Sequence, residues 1–164
     1  MIDQAFTMID AGDLDGLKTL TRNIPPKDLV NMRKSGLYSI LIYAVDKERR
    51  DIVKWLVDEK KADVNLQIRN ETPMQRALFR NNELLVKDLI DWGADMNHQM
   101  PHTAFNMPLY AIMREKPRLL DMMLAKGASM DYNIDRHHVS ALLQMHNPEV
   151  EAVHFKHRRW RRLR

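Results

Sequence analysis

The sequence has no cysteine, so it offers no disulfide framework and no thiolate for metal binding or nucleophilic attack. Glycine is scarce at five of 164 residues. That leaves little material for a phosphate cradle, and neither Gly-x-Gly-x-x-Gly, a Gly-Lys-Ser/Thr loop nor His-Glu-x-x-His occurs. No serine stands in a nucleophile-elbow context. No uninterrupted apolar stretch approaches the roughly 20 residues needed to span a bilayer. The start, Met1-Ile2-Asp3-Gln4, lacks the basic residues and apolar block of a secretion signal. These absences point away from an enzyme and toward a cytoplasmic, monomeric protein.

The histidines do not compensate for the missing thiols. His98 and His102 are four apart, but they lie in a loop containing Met and Pro and not on one helix face. His137 and His138 are adjacent, and His154 and His157 have i, i+3 spacing. A zinc site needs three or four convergent ligands, and no acidic partner accompanies these pairs. The expectation is no metal and no cofactor.

What the chain does contain is charge segregated at one end. Six basic residues, Lys156, Arg158, Arg159, Arg161, Arg162 and Arg164, close the sequence without an acidic one. Taking them from the 26 basic residues leaves 20 against 22 acidic, so the body carries about −2 although the whole chain is +4. Val150, Val153, His157 and Trp160 follow a 3-4-3 spacing, which extends the last helix into this tail. Such a tail can solubilise the chain, or it can bind nucleic acid or an anionic surface.

The body is repetitive, and repeats decide the fold before any other feature. The clearest unit runs Thr72-Pro73-Met74-Gln75-Arg76-Ala77, through Leu84-Leu85-Val86-Lys87-Asp88-Leu89-Ile90, to Gly93-Ala94-Asp95-Met96-Asn97. Thr72 is an N-cap, Pro73 suits the first helical position, and Gln75 completes a capping box. Gly93 and Gly127 follow helical stripes, where a left-handed residue is favoured. Thirty-three residues before Thr72, Ser39-Ile40-Leu41-Ile42-Tyr43-Ala44 opens a second unit that ends Ala62-Asp63-Val64-Asn65. It has lost the glycine and gained one residue at Lys60-Lys61. A third copy runs from Met107-Pro108-Leu109-Tyr110-Ala111 to Gly127-Ala128-Ser129-Met130-Asp131. Gly12 to Leu20 reads as the second half of an earlier unit, with Leu29-Val30-Asn31 similar to Val64-Asn65. Val139 to Val153 reads as a degenerate last unit.

This pattern resembles the ankyrin repeat, whose units open Thr-Pro-Leu-His-x-Ala and close Gly-Ala-Asp-Val-Asn. The resemblance implies an all-α ankyrin-repeat solenoid of about four to five stacked helix pairs, with degenerate capping repeats at the ends. On that reading residues 1–155 form the repeat domain, and residues 156–164 form a basic tail continuing the last helix.

The family also implies where a partner sits: on finger tips and on the exposed side of each first helix. Carried over by motif position, the fingers are Leu66–Glu71, His98–Asn106 and Tyr132–His138. The exposed first-helix pairs are Asp46 and Lys47, Phe79 and Arg80, and Met113 and Arg114. Ile68, Arg69, Met100, Phe105 and His137 join them as finger residues. A phenylalanine beside an arginine has the composition of a binding hot spot, although Phe79 could instead pack on the neighbouring first helix. Met96, Met122, Met123 and Met130 fall where the family places Leu or Val and read as core. Met100, Met107 and Met113 lie in or beside the longest finger. The implied function is a non-enzymatic adaptor or inhibitor, such as a toxin- or effector-neutralising protein, with another protein as partner. The alternative is an anionic-polymer or membrane-surface binder acting through the tail.

Overall fold

Short helices dominate because caps and breakers punctuate the sequence at regular intervals. The computed structural model describes residues 1–98, 106–129 and 148–161. The chain divides into two units, Met1–Ala94 and Asp95–Arg164.

The first unit holds α1 (Ile2–Ala11), α2 (Leu14–Leu20), α3 (Pro26–Val30), β1 (Arg33–Lys34), β2 (Tyr38–Ser39), α4 (Ile40–Asp46), α5 (Arg50–Asp58), α6 (Pro73–Phe79) and α7 (Glu83–Asp91). Helices pair as α1 with α2, α4 with α5 and α6 with α7, while the first helices stack α1 on α4 and α4 on α6. The second unit holds α8 (Met107–Met113) and α9 (Pro117–Ala125), with α10 (Pro148–Arg161) packed on α9. The described chain is thus an all-α repeat protein with one two-stranded hairpin.

The first helices α4, α6 and α8 start on the same device, which α1 lacks. The side chains of Ser39, Thr72 and Asn106 accept the backbone N–H of Ile42, Gln75 and Leu109 at 3.1, 3.2 and 3.1 Å. At Thr72 the capping box is complete, since the Thr72 N–H donates to Gln75 Oε1 at 2.8 Å. The Asn106 cap places Met107 inside the helix and fully buried. Met107 is therefore core and not part of the finger surface that the sequence suggested.

The pairs α4–α5, α6–α7 and α8–α9 end on a second device. Gly93 and Gly127 adopt φ of 88° and 94°, as expected of left-handed terminators. In the unit that lacks this glycine, Lys61 takes the conformation with φ 57°. The N–H groups of Ala62, Ala94 and Ala128 then close on the carbonyls of Leu56, Leu89 and Met123 at the same 2.9 Å. Asp63 and Asp95 accept the N–H of Asn65 and Asn97 at 2.8 and 2.9 Å, tight Asx turns. The asparagine side chains reach one repeat onward: Asn65 Nδ2 donates to Gly93 O, and Asn97 Oδ1 accepts the Ser129 N–H. The closing Ala-Asp-x-Asn is therefore a clasp between neighbours.

The turn between the two helices of a pair also needs a left-handed residue. Gly12, Glu48, Asn81 and Glu115 fill it with φ of 74°, 57°, 57° and 52°. A non-glycine residue there is strained by about 1 kcal/mol or more, against which glycine loses some of its advantage through unfolded-chain entropy. Glu115→Gly should accordingly raise stability by about 0.5 kcal/mol, read as a higher denaturant midpoint at unchanged slope. A lower midpoint would mean that Glu115 is not strained.

The start of the chain differs from the expected pattern. There Leu29 and Val30 end an extra helix, α3, whereas Val64 and Asn65 stand in a turn. The finger comes next, as the β1–β2 hairpin pairing Arg33 with Ser39 and Lys34 with Tyr38. Its tip, Ser35 and Gly36, has positive φ at both residues.

Candidate functional site

Sites in a stacked-helix protein are built where side chains at equivalent repeat positions meet. In the first unit this happens at the C-terminal ends of α4 and α6. Asp46 closes α4, and one of its oxygens accepts from Arg80 Nε at 3.0 Å and Arg80 Nη2 at 2.7 Å. Arg76 Nη1 lies 3.4 Å from the same oxygen. Asp46 was expected on the exposed side, yet only 10% of its side chain is accessible, because two guanidinium groups cover it. Arg80 is exposed but held in place, and its charge is further secured by Asp46.

Arg76 carries the network into the second finger. It pairs with Glu71 and lies 5.2 Å from the centre of the Tyr38 ring on the first finger. Burial lifts the Glu71 carboxyl above its ordinary range, and the Arg76 charge only partly opposes this. The cause is visible in the geometry, since Glu71 Oε1 is buried without a hydrogen-bond partner. Residues Ile68 and Glu71 exchange backbone hydrogen bonds at 3.0 Å each. Between them Arg69 and Asn70 have φ of 53° and 62°, the signature of a two-residue hairpin turn. Arg69 is exposed at this tip, and Ile68 is half-buried in its stem.

A second cluster adjoins the first through Lys47. Its ammonium lies 2.9 Å from Asp10 Oδ1, and Tyr43 donates its hydroxyl proton to the same oxygen at 2.7 Å. Lys34, from β1, lies over the Tyr43 ring at 4.2 Å and 3.6 Å from Asp10 Oδ2. The hydrogen bond from Lys47, then that from Tyr43, holds the Asp10 carboxyl below the usual carboxylate range. The Tyr43 hydroxyl likewise keeps Lys34 protonated to higher pH. Phe6 and Tyr38 flank Tyr43 edge-on, with ring centres 5.1 and 6.0 Å away.

Phe79, at the end of α6, is 46% exposed beside Arg80. In the first unit, then, Lys47, Arg69, Phe79 and Arg80 all face solvent. Asp46 and Ile68 are drawn inward. In the second unit Met113 is 39% exposed, and Arg114 donates Nε–H to the Tyr110 hydroxyl at 3.2 Å while stacking on its ring. Met100, Phe105 and His137 lie outside the described residues, as do Arg162 and Arg164. Lys156 pairs with Asp121 on α9 at 2.8 Å, whereas Arg158, Arg159 and Arg161 stand on the last turns of α10. Among the described residues no group of three or more His, Cys, Asp or Glu could hold a metal ion.

The sequence pointed to Asp46, Lys47, Phe79 and Arg80 but not to the side chains that organise them. Asp10 and Lys34 carry no motif, and Tyr43 and Arg76 occupy the variable position of theirs. Opposite charges one repeat apart, Asp46 and Arg80, were the available signal.

A family model for ankyrin repeats (3 copies) matches residues 6–100. No curated protein matches the chain. The fourth helix pair, α8 and α9, lies beyond the matched region, yet it repeats the same cap, left-handed turn and closing alanine bond. With the family model spanning more than half of its length, the chain belongs to the ankyrin-repeat family.

Proposed function

We propose that this chain is a non-enzymatic adaptor or inhibitor that holds a protein partner on the first-helix and finger side of its first unit. Ankyrin repeats generally mediate protein–protein interaction, and no helix among the described residues is long and apolar enough to cross a membrane. The observation that carries the reading is Phe79, a large ring nearly half exposed, next to an arginine already oriented by Asp46. Binding hot spots favour such aromatic and arginine anchors, and a pre-oriented arginine loses less side-chain entropy when it docks. An inhibitor would act by occlusion, and a toxin or effector protein is the kind of target it would cover.

Phe79→Ala combined with Arg80→Ala should weaken the partner by about 2 kcal/mol, roughly thirtyfold, measured by titration calorimetry. Arg76 remains beside Asp46 in that variant, so the carboxylate keeps a counterion. Deleting residues 156–164 should leave protein binding intact. The opposite pair of results, full binding by the double variant and loss on tail deletion, would transfer the function to the tail. Steep weakening with salt through counterion release would then accompany it. Lys156 is already engaged by Asp121, which leaves the tail one basic residue fewer for an anionic polymer.

A further inference from the structure

The two units differ in charge. Met1–Ala94 holds 15 of the 26 basic residues and 15 of the 22 acidic ones, so the whole excess of +4 belongs to Asp95–Arg164. Within that unit the excess is concentrated again. From Pro148 to Arg164 six basic residues stand against only two acids, Glu149 and Glu151. Both acids lie in the first turn of α10, where a helix start favours them. Residues 152–164 contain no acid at all. The helix packed against α10 does not neutralise it either. The single acid of α9, Asp121, is taken by Lys156 at 2.8 Å. That pair and the buried Val150 anchor the first half of α10. The one lysine is thus the anchor, and the five remaining basic residues are all arginines.

We infer that α10 and the residues after it bind single-stranded nucleic acid, with phosphates against the arginines from Arg158 onward and a base stacked on Phe155. This is a second activity, separate from protein binding by the first unit. Three features select this ligand among polyanions. Arginine pairs with phosphate through two N–H groups at once and also stacks on bases, as lysine does not. Phe155 is 55% exposed and lies one turn before Arg158 and Arg159, and stacking on such a ring accepts any base. Successive helix residues advance by about 100°, so positions 158, 159 and 161 spread around α10. A flexible strand can follow that spread, whereas a flat acidic protein surface meets one side of it. A lipid surface fits less well, because a helix lying on it needs a continuous apolar stripe. Val150 is buried within the unit, and Phe155 stands about 140° from it around the helix.

Fluorescence anisotropy of a labelled oligo-uridine of about 20 nucleotides, titrated with the full chain, tests the proposal. About five phosphate contacts on a single strand give a slope of log affinity against log salt near −3.5, so affinity should fall about a hundredfold between about 50 and 200 mM salt. Arg158→Gln, Arg159→Gln and Arg161→Gln together should bring the slope to about −1.5. Arg158→Lys, Arg159→Lys and Arg161→Lys should leave it near −3.5, so that charge is read apart from folding. Phe155→Ala should weaken binding about tenfold at unchanged slope. Phe79→Ala with Arg80→Ala should leave oligonucleotide binding as it was, which separates this result from the fate of the protein-binding face. Oligonucleotide binding indifferent to the glutamine substitutions would overturn the proposal. So would polyglutamate of equal charge bound as tightly as the oligonucleotide, or a duplex of the same length bound more tightly than the strand. Vesicles of phosphatidylcholine and phosphatidylserine that bound the chain while the oligonucleotide did not would hand α10 to a lipid surface instead.

Discussion

Leu89→Ala is expected to destabilise the protein by about 3–4 kcal/mol, while Leu84→Ala, on the same helix, changes stability by less than about 0.5 kcal/mol. Leu89 is completely buried in α7, whereas Leu84 is 62% exposed. Both changes remove the same atoms from a good helix former and leave another, so intrinsic propensity cancels between them. What differs is the apolar area returned to water and the cavity left behind. Nine-residue helices such as α7 are far below the length at which an isolated helix holds in water, so packing alone keeps this one formed. Leu89 also offers its carbonyl to the Ala94 N–H at 2.9 Å, which ties the buried face to the turn that follows. Equilibrium unfolding in urea measures both variants. Equal losses would mean that burial does not govern the stability of this repeat.

Arg49→Ala should cost about 3 kcal/mol, a large effect for a residue in a turn. Its guanidinium donates through Nε to the Ile9 carbonyl at 3.1 Å and through Nη2 to the Asp10 carbonyl. Those are two of the last carbonyls of α1; that of Ile9 also accepts the Gly12 N–H at 3.1 Å, whereas that of Asp10 lies past the last turn, where a helix runs out of its own donors. The positive charge also lies at the negative end of the helix dipole. Hydrogen bonds to charged groups contribute about 1.5–3 kcal/mol each when part-buried, and Arg49 makes two of them across a span of 40 residues. Arg49→Lys should recover less than half of the loss, since one ammonium cannot reproduce the planar fork. A Cβ built on Gly12 would come within 3.4 Å of this guanidinium, and Gly12 has φ of 74°, so the site leaves little room to compensate. Full recovery by lysine would reduce Arg49 to a point charge and discard the fork.

The fold was legible because its signals are local. Thr72, Pro73 and Gln75 announce a helix start within four residues, and Gly93 and Gly127 mark ends without reference to distant chain. Lys61 shows the limit of such signals: once the glycine is gone, only the position of Ala62 reveals that the left-handed turn survives. The organisation of the site was less legible, since its bonds join residues about one repeat or more apart. Arg49 reaches back 40 residues, and Arg80 reaches back 34. Neither pairing has a spacing rule until the helices are stacked in register. Met107 was misread for a smaller reason. Asn106 looked like the end of a finger, but its side chain caps α8 and pulls Met107 into the core. The first finger was missed because α3 intervenes where the next repeat has a turn, although Ser35-Gly36 is an ordinary turn dipeptide.

The second finger separates what must stay from what can drift. Its stem is fixed twice, by the mutual backbone bonds of Ile68 and Glu71 and by the pairing of Glu71 with Arg76. Its tip, Arg69 and Asn70, is exposed and answers only to the demand for positive φ, which Asn, Asp and Gly meet most easily. A lineage can therefore sample new side chains at the tip while the helices beneath remain undisturbed. Selection for a changed partner would be felt first in these two residues, with the rest of the repeat inherited intact.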